Sequence, residues 1–523
     1  MADIAWNVGG LLVNIPGVID VCIQLGNFVN SKISIYRNAH VHANEIANRF
    51  DTMWRNIVDI IRAIKNIEDR LNEDMRVEIS QTLNRLRDIL AEAINAASKA
   101  GVFLGCNPSP GQAMLLSAHQ KKKLEGLVNH AQIWHDEILK RLLVINFTQP
   151  GLLEGVTRHL LPSPIPPNRR TSSPPPLQSP PIEVILNLRP PTDLYRLKDS
   201  NVFRSISLPH ILVEFRSYDQ DTMGNIAEYE ANVYGMARML KSADSRLMSI
   251  LRCEGVYPAL AGPNPHFELQ YRLPSDLGNT RSLRDLLTDK SVLKLHPLNH
   301  RFDLANRLAS SILYVHSGCF VHKAIKPENI LMMTNINASY RHQFPYVLGS
   351  PFLVGFDRSR PASAHSGKYG EVKLDECLYQ HPSRWGVHAE EAFTMQHDIY
   401  SLGVVLLEIG LWQPLVWHNE GLGRYEFSDL FSGIFQAQDV TIMRNEQKAL
   451  KVKQKLLDLA QDHLPPTVGE TYATVVLACL KIFEGGMLTN GDFTIPTGNV
   501  SEEELGTTYI RYVIKKLENL TVV

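Results

Sequence analysis

The sequence has few cysteines, and none of them forms a C-x-x-C pair. They are scattered singly along the chain, at Cys22, Cys106, Cys253, Cys319, Cys377 and Cys479. This spacing, without histidines at zinc-finger distance, predicts reduced thiols in a reducing compartment and no metal site. The N-terminus also lacks the basic stretch and small-residue cleavage site of a secretory signal. We therefore expect the protein to be cytoplasmic at rest.

Neither sign of charge is in excess. The chain has 53 basic and 54 acidic residues, counting lysine with arginine and aspartate with glutamate. A nearly neutral protein has no overall field that attracts polyanions, and any such attraction would have to come from a local patch. Nucleic acid is therefore not an expected partner.

A proline-rich stretch divides the chain. Residues 161–181 read LPSPIPPNRRTSSPPPLQSPP, and no apolar periodicity runs through them. Such a composition favours a semi-rigid linker with polyproline II bias. Because 523 residues exceed the size of one hydrophobic core, we predict a domain at 1–150, a linker at 151–182 and a domain at 183–515.

The first domain has the pattern of an all-α four-helix bundle. Three runs of apolar residues at three- and four-residue steps begin near Asn44, Met75 and Leu124. The predicted core positions include Ala47, Phe50, Trp54, Ile57, Ile61, Ile64, Leu71, Ile79, Leu86, Leu90, Ala131, Trp134, Ile138, Leu142 and Ile145. An apolar segment ahead of these runs supplies the fourth helix.

That first segment carries almost no charge. Residues 4–30 contain one charged side chain, Asp20, over a length that exceeds the ~20 residues needed to span a bilayer. Gly9, Gly10 and Pro16 argue against a permanent transmembrane helix, and a charge near mid-span costs about 2.5 to 3.5 kcal/mol. Two alternatives stay open: the segment packs in the bundle, or it is bistable and inserts into a membrane once exposed. The candidate inserting residues are Trp6, Leu11, Leu12, Ile15, Val18 and Ile19.

A nearly uncharged, glycine-containing N-terminus followed by three long amphipathic helices resembles the HeLo family of fungal helical bundles. More loosely, it resembles the four-helix executioner domain of mixed lineage kinase domain-like proteins. The resemblance covers about residues 1–150. It implies membrane targeting and permeabilisation during regulated cell death, with the first helix as the inserting element.

After the linker, short β-branched runs at residues 182–188, 210–218 and 266–273 come first and longer helical patterns follow, which predicts an α+β domain. HKAIKPENILMM, residues 322–333, resembles the catalytic loop and next strand of protein kinases. HDIYSLGVVLLEIG, residues 397–410, resembles the kinase D-x-x-S-x-G helix, about 75 residues later. The resemblance implies a bilobal protein-kinase fold over residues 183–515.

Several parts of the phosphoryl-transfer machinery are missing from this kinase pattern. Ala324 stands where the catalytic loop has its Asp base, and Gly355 in VGFDRSR stands at the magnesium Asp of D-F-G. Arg216 in VEFR replaces the β3 lysine, which is not a conservative exchange. Residues 194–208 contain none of the glycines that a phosphate-covering loop needs, and Ser383 replaces the Glu of A-P-E.

The retained residues His322, Lys326 and Asn329 can shape the loop without catalysing a reaction. We expect Arg216 to form an ion pair with Glu228 or Glu230. We interpret the domain as a pseudokinase with no cofactor. The sequence leaves one alternative undecided, namely that the emptied nucleotide cleft accepts ATP without metal. If nucleotide binds, the candidate contacts are Arg216, Glu230, Asn329 and Asp357.

The two halves together resemble mixed lineage kinase domain-like executioners and fungal proteins that pair a HeLo domain with a kinase-like domain. The resemblance implies a pseudokinase that restrains the bundle, an upstream signalling protein or kinase, homo-oligomerisation, and membrane lipid as a partner at the plasma membrane on activation. Candidate regulatory phosphosites beside the linker arginines are Thr171, Ser172, Ser173 and Ser179. Two other functions stay open: an atypical active kinase that binds ATP, and a non-enzymatic oligomerising scaffold.

Overall fold

The computed structural model divides the chain into two compact units, Met1–Arg158 and His159–Val523. The residues that it describes are 15–34, 41–71, 73–99, 118–148, 191–218, 226–261, 263–289, 296–362, 377–385, 393–419, 421, 424–431, 433–435, 445–484, 486–487, 494–495 and 502–520.

The described part of the first unit is helical. Its helices are α1 (Ile15–Ser34), α2 (Val41–Ile67), α3 (Glu73–Lys99) and α4 (Ala118–Thr148). α1 packs against α2 and α3, and α4 packs against the same two helices. The apolar positions predicted from the three- and four-residue spacing are buried, and the Trp134 indole donates to the Thr82 carbonyl at 2.7 Å. The predicted amphipathic helices are therefore confirmed.

Helix α1 lies with its apolar face in the core of this unit. Ile15, Val18 and Ile19 are buried, whereas Asp20 lies on the outside, 2.8 Å from Lys65 Nζ. The described part of the first segment thus packs against other helices of the unit, an arrangement that both alternatives allow for the resting protein. The other candidate inserting residues, Trp6, Leu11 and Leu12, lie outside the described residues. Among the described helices, none combines the length and apolarity that crossing a membrane requires.

In the described part of the second unit, a five-stranded antiparallel sheet comes first, in the order β1-β2-β3-β5-β4. Its strands are β1 (Leu194–Arg196), β2 (Val202–Ser205), β3 (Ile211–Ser217), β4 (Arg252–Ala259) and β5 (His266–Arg272). Two of the predicted β-branched runs become β3 and β5, and the run at 182–188 lies outside the described residues.

The remaining strands form small sheets. They are β6 (Leu277–Ser282), β7 (Phe320–Val321), β8 (Ile330–Asn335), β9 (Ser350–Leu353), β10 (Arg360–Pro361), β11 (Val416–Asn419), β12 (Arg424–Phe427), β13 (Gly486–Met487) and β14 (Thr494–Ile495). β8 lies between β6 and β9 in a three-stranded sheet, and β10 pairs with β7. β7, β8 and β9 border the site described below.

The helices of the second unit follow mainly after the strands. They are α5 (Ile226–Lys241), α6 (Ser245–Met248), α7 (Leu283–Thr288), α8 (Leu298–Ser317), α9 (Met395–Leu411), α10 (Asn445–Asp458), α11 (Leu464–Val468), α12 (Glu470–Leu480), α13 (Glu502–Tyr509) and α14 (Lys515–Glu518). α5 packs against β4, and α9 packs between α8 and α12. The α+β arrangement predicted for this half is confirmed.

Candidate functional site

The loop after β7 is held in place by Asp398 of α9. Its carboxylate oxygens accept hydrogen bonds from the backbone N–H groups of His322 at 2.7 Å and Lys323 at 2.9 Å, and His316 Nε2 lies 3.0 Å away. Burial alone would raise the pKa of Asp398, but His316 and His322 lower it below its usual value. A fixed negative charge therefore anchors the HKA sequence, and the two kinase-like motifs meet in space.

Ala324 leaves the base position without a proton acceptor. Its N–H lies 3.3 Å from His322 Nδ1, and its carbonyl accepts from Asn329 Nδ2 at 2.8 Å. Burial lowers the pKa of His322 to about 4, so its ring is neutral near pH 7. With Nδ1 facing Ala324, Nε2 lies 3.1 Å from the Val354 carbonyl. His322 is thus engaged by backbone on both sides and does not replace the missing base.

Gly355 and Asn329 together leave little room for an aspartate at the magnesium position. Gly355 has a left-handed backbone, with φ of +84°, and a β-carbon there would lie 2.3 Å from the Asn329 carboxamide. Asn329 Oδ1 has no hydrogen-bond partner among the described residues, so one oxygen of the type that magnesium binds is present. The carboxylate that would join it is missing. These residues do not fit a magnesium nucleotide.

Asp357, one of the candidate nucleotide contacts, lies two residues after Gly355 in the turn Phe356–Arg358. Burial raises its pKa, although the nearby Arg358, Arg216 and Lys326 act in the opposite direction. Within the described ranges, no three His, Cys, Asp or Glu side chains come together as a metal site.

Glu214 is a site residue that the kinase motifs did not reveal. It lies on β3, two residues before Arg216, and its side chain is buried. Its Oε1 accepts the Gly355 N–H at 2.6 Å, and its Oε2 accepts the Phe356 N–H at 2.9 Å. The Tyr271 hydroxyl lies 3.2 Å from Oε2. The available signal was a charged residue inside the apolar run ILVEFRS, where V-A-I-K has alanine.

The partner of Arg216 is a tyrosine. Its Nε donates to the Tyr229 hydroxyl at 2.8 Å, and its Nη1 donates to the Phe356 carbonyl at 3.3 Å. The guanidinium also lies 4.9 Å from the Tyr229 ring centroid, which is favourable cation–π geometry. Within the described part of the chain, Glu228 and Glu230 are not its partners, so the expected ion pair is wrong. The reason is helical phase: Tyr229 is buried against the sheet, whereas Glu228 is exposed.

The turn between β1 and β2 is fastened to the start of α7. Lys198 Nζ lies 3.0 Å from Asp285 Oδ1, and the Lys198 carbonyl accepts a hydrogen bond from the Ser282 hydroxyl at 3.1 Å. Asp199, in the same turn, has a left-handed φ of +48°. A glycine-free turn held down in this way does not form the flexible cover that a kinase places over phosphates.

Ser383 contacts histidines in place of the ion pair made by the Glu of A-P-E. Its hydroxyl lies 2.9 Å from His381 Nδ1. The His381 ring stacks on Phe483 with 4.0 Å between centroids, and Lys453 Nζ lies 3.2 Å from His381 Nε2. Burial lowers the pKa of His381 to about 3, so the ring is neutral. The chain around Ser383 is therefore held in place by the packing of His381 against Phe483.

The structure thus brings most of the sequence-predicted site residues together. The residues that these contacts place close together are Arg216, His322, Ala324, Asn329, Gly355 and Asp357. Lys326 is half-buried near Asp357, and Glu230 lies beside Tyr234 on α5. The candidate phosphosites Thr171, Ser172, Ser173 and Ser179 lie outside the described residues.

Comparison with known proteins points to kinases. The chain matches no protein-family model. It is 33% identical over 137 residues to a G-type lectin S-receptor-like serine/threonine-protein kinase of Arabidopsis thaliana, which covers 25% of this chain and 15% of the relative. It is 28% identical over 132 residues to a putative serine/threonine-protein kinase of Mycoplasma pneumoniae, covering 24% and 33%. It is 36% identical over 110 residues to a serine/threonine-protein kinase-like protein of Arabidopsis thaliana, covering 21% and 27%.

The chain spans between 15% and 33% of the length of these curated relatives. The similarity therefore concerns one region, and the whole relatives' activities do not transfer with it. Two features of the second unit agree with the similarity to kinases. One is the order of a sheet followed by helices, and the other is the loop anchored on Asp398. The second unit of the chain therefore contains a kinase-like domain.

Proposed function

We propose that this chain is a signalling protein of regulated cell death whose kinase-like domain transfers no phosphate. In this proposal the domain restrains the N-terminal helices until an upstream signalling protein or kinase acts on it. The released helices then oligomerise and disrupt a membrane. The protein is cytoplasmic at rest and moves to the plasma membrane on activation.

The observation that carries the non-catalytic part is the contact between Gly355 and Asn329. Phosphoryl transfer depends on a metal that neutralises charge on the phosphates, and here a side chain at 355 would collide with Asn329. Ala324 removes the base in the same cleft. Losses at two independent parts of one mechanism argue for a domain retained for binding and regulation.

The membrane part is supported by helix α1 and by the resemblance of the first segment to HeLo proteins. Ile15, Val18 and Ile19 place an apolar face in the core of the first unit. A face that is covered in the resting protein becomes available to lipid once the helix is released. Phosphorylation at Thr171, Ser172, Ser173 or Ser179 is the proposed input, because each phosphate adds about 1.5 to 2 negative charges.

The non-catalytic part is tested by thermal unfolding of the full chain with ATP, with and without magnesium. We expect no magnesium-dependent shift of the melting temperature. A clear shift that disappears in Asp357→Ala would instead support the atypical active kinase.

The membrane part is tested by dye release from anionic liposomes. We expect the activated full chain to release dye, and the double variant Leu11→Asp/Leu12→Asp to release none, because two charges oppose insertion of the first segment. Self-association of the wild type without dye release would support the scaffold function and contradict membrane disruption.

A further inference from the structure

Glu214 joins two parts of the kinase-like domain that are about 140 residues apart in the sequence. It belongs to the five-stranded sheet, whereas Gly355 and Phe356 directly follow β9 in the three-stranded sheet. Both of its carboxyl oxygens accept backbone N–H groups, at 2.6 and 2.9 Å. Two short hydrogen bonds to adjacent amides fix the group in position and orientation.

We propose that the Glu214 carboxyl group is a proton-dependent clasp, which holds the five-stranded sheet against the Gly355–Phe356 backbone and closes the cleft where a kinase binds nucleotide. The proposal rests on the non-catalytic role proposed above, because a working kinase must admit nucleotide to this cleft.

The surroundings of Glu214 favour its neutral form. Burial raises the pKa of Glu214 to about 7, against the effect of the Gly355 and Phe356 N–H groups and of Tyr271. The titratable groups that face it from other elements are Tyr271 on β5, Cys253 on β4 and Asp357 in the turn after β9.

Two of these three neighbours carry no charge near pH 7. Burial raises the pKa of Cys253 to about 12 and raises that of Tyr271 well above 10. The charge on Asp357 repels that on Glu214 and adds to the upward shift. Arg216, on the same strand, donates to Tyr229 and Phe356.

The clasp keeps its hydrogen bonds in both protonation states. When ionised, Glu214 accepts both N–H groups and the Tyr271 hydroxyl. When protonated on Oε2, that oxygen still accepts the Phe356 N–H, and its proton points to the Tyr271 oxygen, 3.2 Å away. The pH therefore changes whether the closed state buries a charge on Glu214, and with it the free-energy cost of desolvating that charge.

The direction of the pH effect follows from linkage. In the open cleft Glu214 is solvated and has its ordinary pKa of 4.5, whereas in the closed cleft its pKa is about 7. Because the closed state binds the proton more tightly, acid favours closure and a rise in pH through 7 favours opening. The equilibrium constant for opening should rise about tenfold between pH 6 and pH 8.

Native-state hydrogen exchange on the full chain measures this opening at the amides of Gly355 and Phe356. Exchange is recorded at pH 6, 7 and 8 and corrected for the intrinsic pH dependence of amide exchange. We expect the opening constant to rise about tenfold in the wild type and to stay flat in Glu214→Gln. Amides of α9 serve as the internal reference, with no such rise.

Glu268→Gln is the matched control. Glu268 lies on the adjacent strand β5 one residue from Leu269, which pairs with Glu214, so its side chain points to the other face of the sheet. This variant should keep the tenfold rise. A wild type without the rise, or equal rises in wild type and Glu214→Gln, would overturn the clasp.

If Glu214→Gln does not fold, Tyr271→Phe provides the same test. Its hydroxyl lowers the pKa of Glu214, so its removal should move the midpoint of the pH dependence above that of the wild type. An unmoved midpoint would contradict the proposal. Hydrogen exchange at Gly355 and Phe356 and thermal unfolding with ATP and magnesium are separate measurements, so the clasp and the non-catalytic role can fail independently.

Discussion

At Gly355 two constraints coincide, a left-handed backbone and a neighbouring side chain that leaves no space. The φ of +84° suits glycine, and the Asn329 carboxamide occupies the position that a β-carbon would take. Both the backbone conformation and the Asn329 carboxamide therefore oppose a side chain at this position. Restoring the kinase residue by substitution is not expected to restore the kinase site.

We predict that Gly355→Asp destabilises the protein by about 2 to 3 kcal/mol, from backbone strain and from the collision with Asn329. Gly433→Asp is the control, since Gly433 also has a positive φ, +77°, but nothing within 4 Å of its β-carbon position. It should lose only about 1 to 2 kcal/mol, the strain alone. Urea unfolding measures both, and equal losses would contradict the collision.

At the scale of single elements, helix α1 is fitted to α2 through Gly26. A β-carbon on Gly26 would lie 1.9 Å from the Trp54 ring. The Trp54 indole also donates to Asn27 Oδ1 at 2.9 Å, so the ring is fixed on two sides. The position of α1 in the first unit therefore depends on the absence of one side chain.

We predict that Gly26→Ala destabilises the first unit by about 1 to 2 kcal/mol, because overpacking against Trp54 exceeds the gain in helix propensity. Gly126→Ala in α4 is the matched control, because nothing lies within 4 Å of that β-carbon position. It should stabilise by about 0.5 to 1 kcal/mol. Thermal and chemical unfolding of both variants measures the difference, and a stabilising Gly26→Ala would be inconsistent with the packing described.

A second element-scale feature is the buried ion network around Arg284 of α7. Its Nε and Nη1 each lie 2.9 Å from a carboxylate oxygen, of Glu328 and Glu408 respectively, and its Nη2 donates to the Tyr379 hydroxyl. Burial works against ionisation of Glu328, but the Arg284 charge lowers its pKa overall. One guanidinium thus ties α7, the catalytic-loop region and α9 together.

Arg284→Ala should cost about 3 to 5 kcal/mol, because it leaves the Glu328 and Glu408 carboxylates buried without their counter-ion. Arg307→Ala breaks an exposed i,i+4 pair with Asp303 and should cost no more than about 1 kcal/mol. The urea midpoints of the two variants provide the measurement. A loss in Arg284→Ala as small as that in Arg307→Ala would show that the network does not hold these elements.

At the scale of the whole molecule, the parts that depend on local patterning were predictable from the sequence. The spacing of Phe50, Trp54 and Ile57 places them on one helical face, and that face is buried. The link between His322 and Asp398 follows from two short motifs in kinase order. Both features are encoded within a few residues.

Features that depend on tertiary contacts were not predictable in the same way. The partner of Arg216 depends on which side of α5 faces the sheet. Glu228 and Glu230 flank Tyr229 in the sequence, but it is Tyr229 that faces Arg216. The role of Glu214 depends on amides more than a hundred residues later in the chain. Neither contact can be predicted from the residues next to Arg216 or Glu214 in the sequence.

The central claim is that the kinase-like domain restrains a membrane-disrupting helical unit across the linker at 151–182. It is tested most directly by inserting a site-specific protease site into that linker of the full chain and recording dye release from anionic liposomes before and after cleavage. We predict little release from the intact chain and rapid release once the linker is cut. Equal release before and after complete cleavage, or none in either case, would contradict the claim.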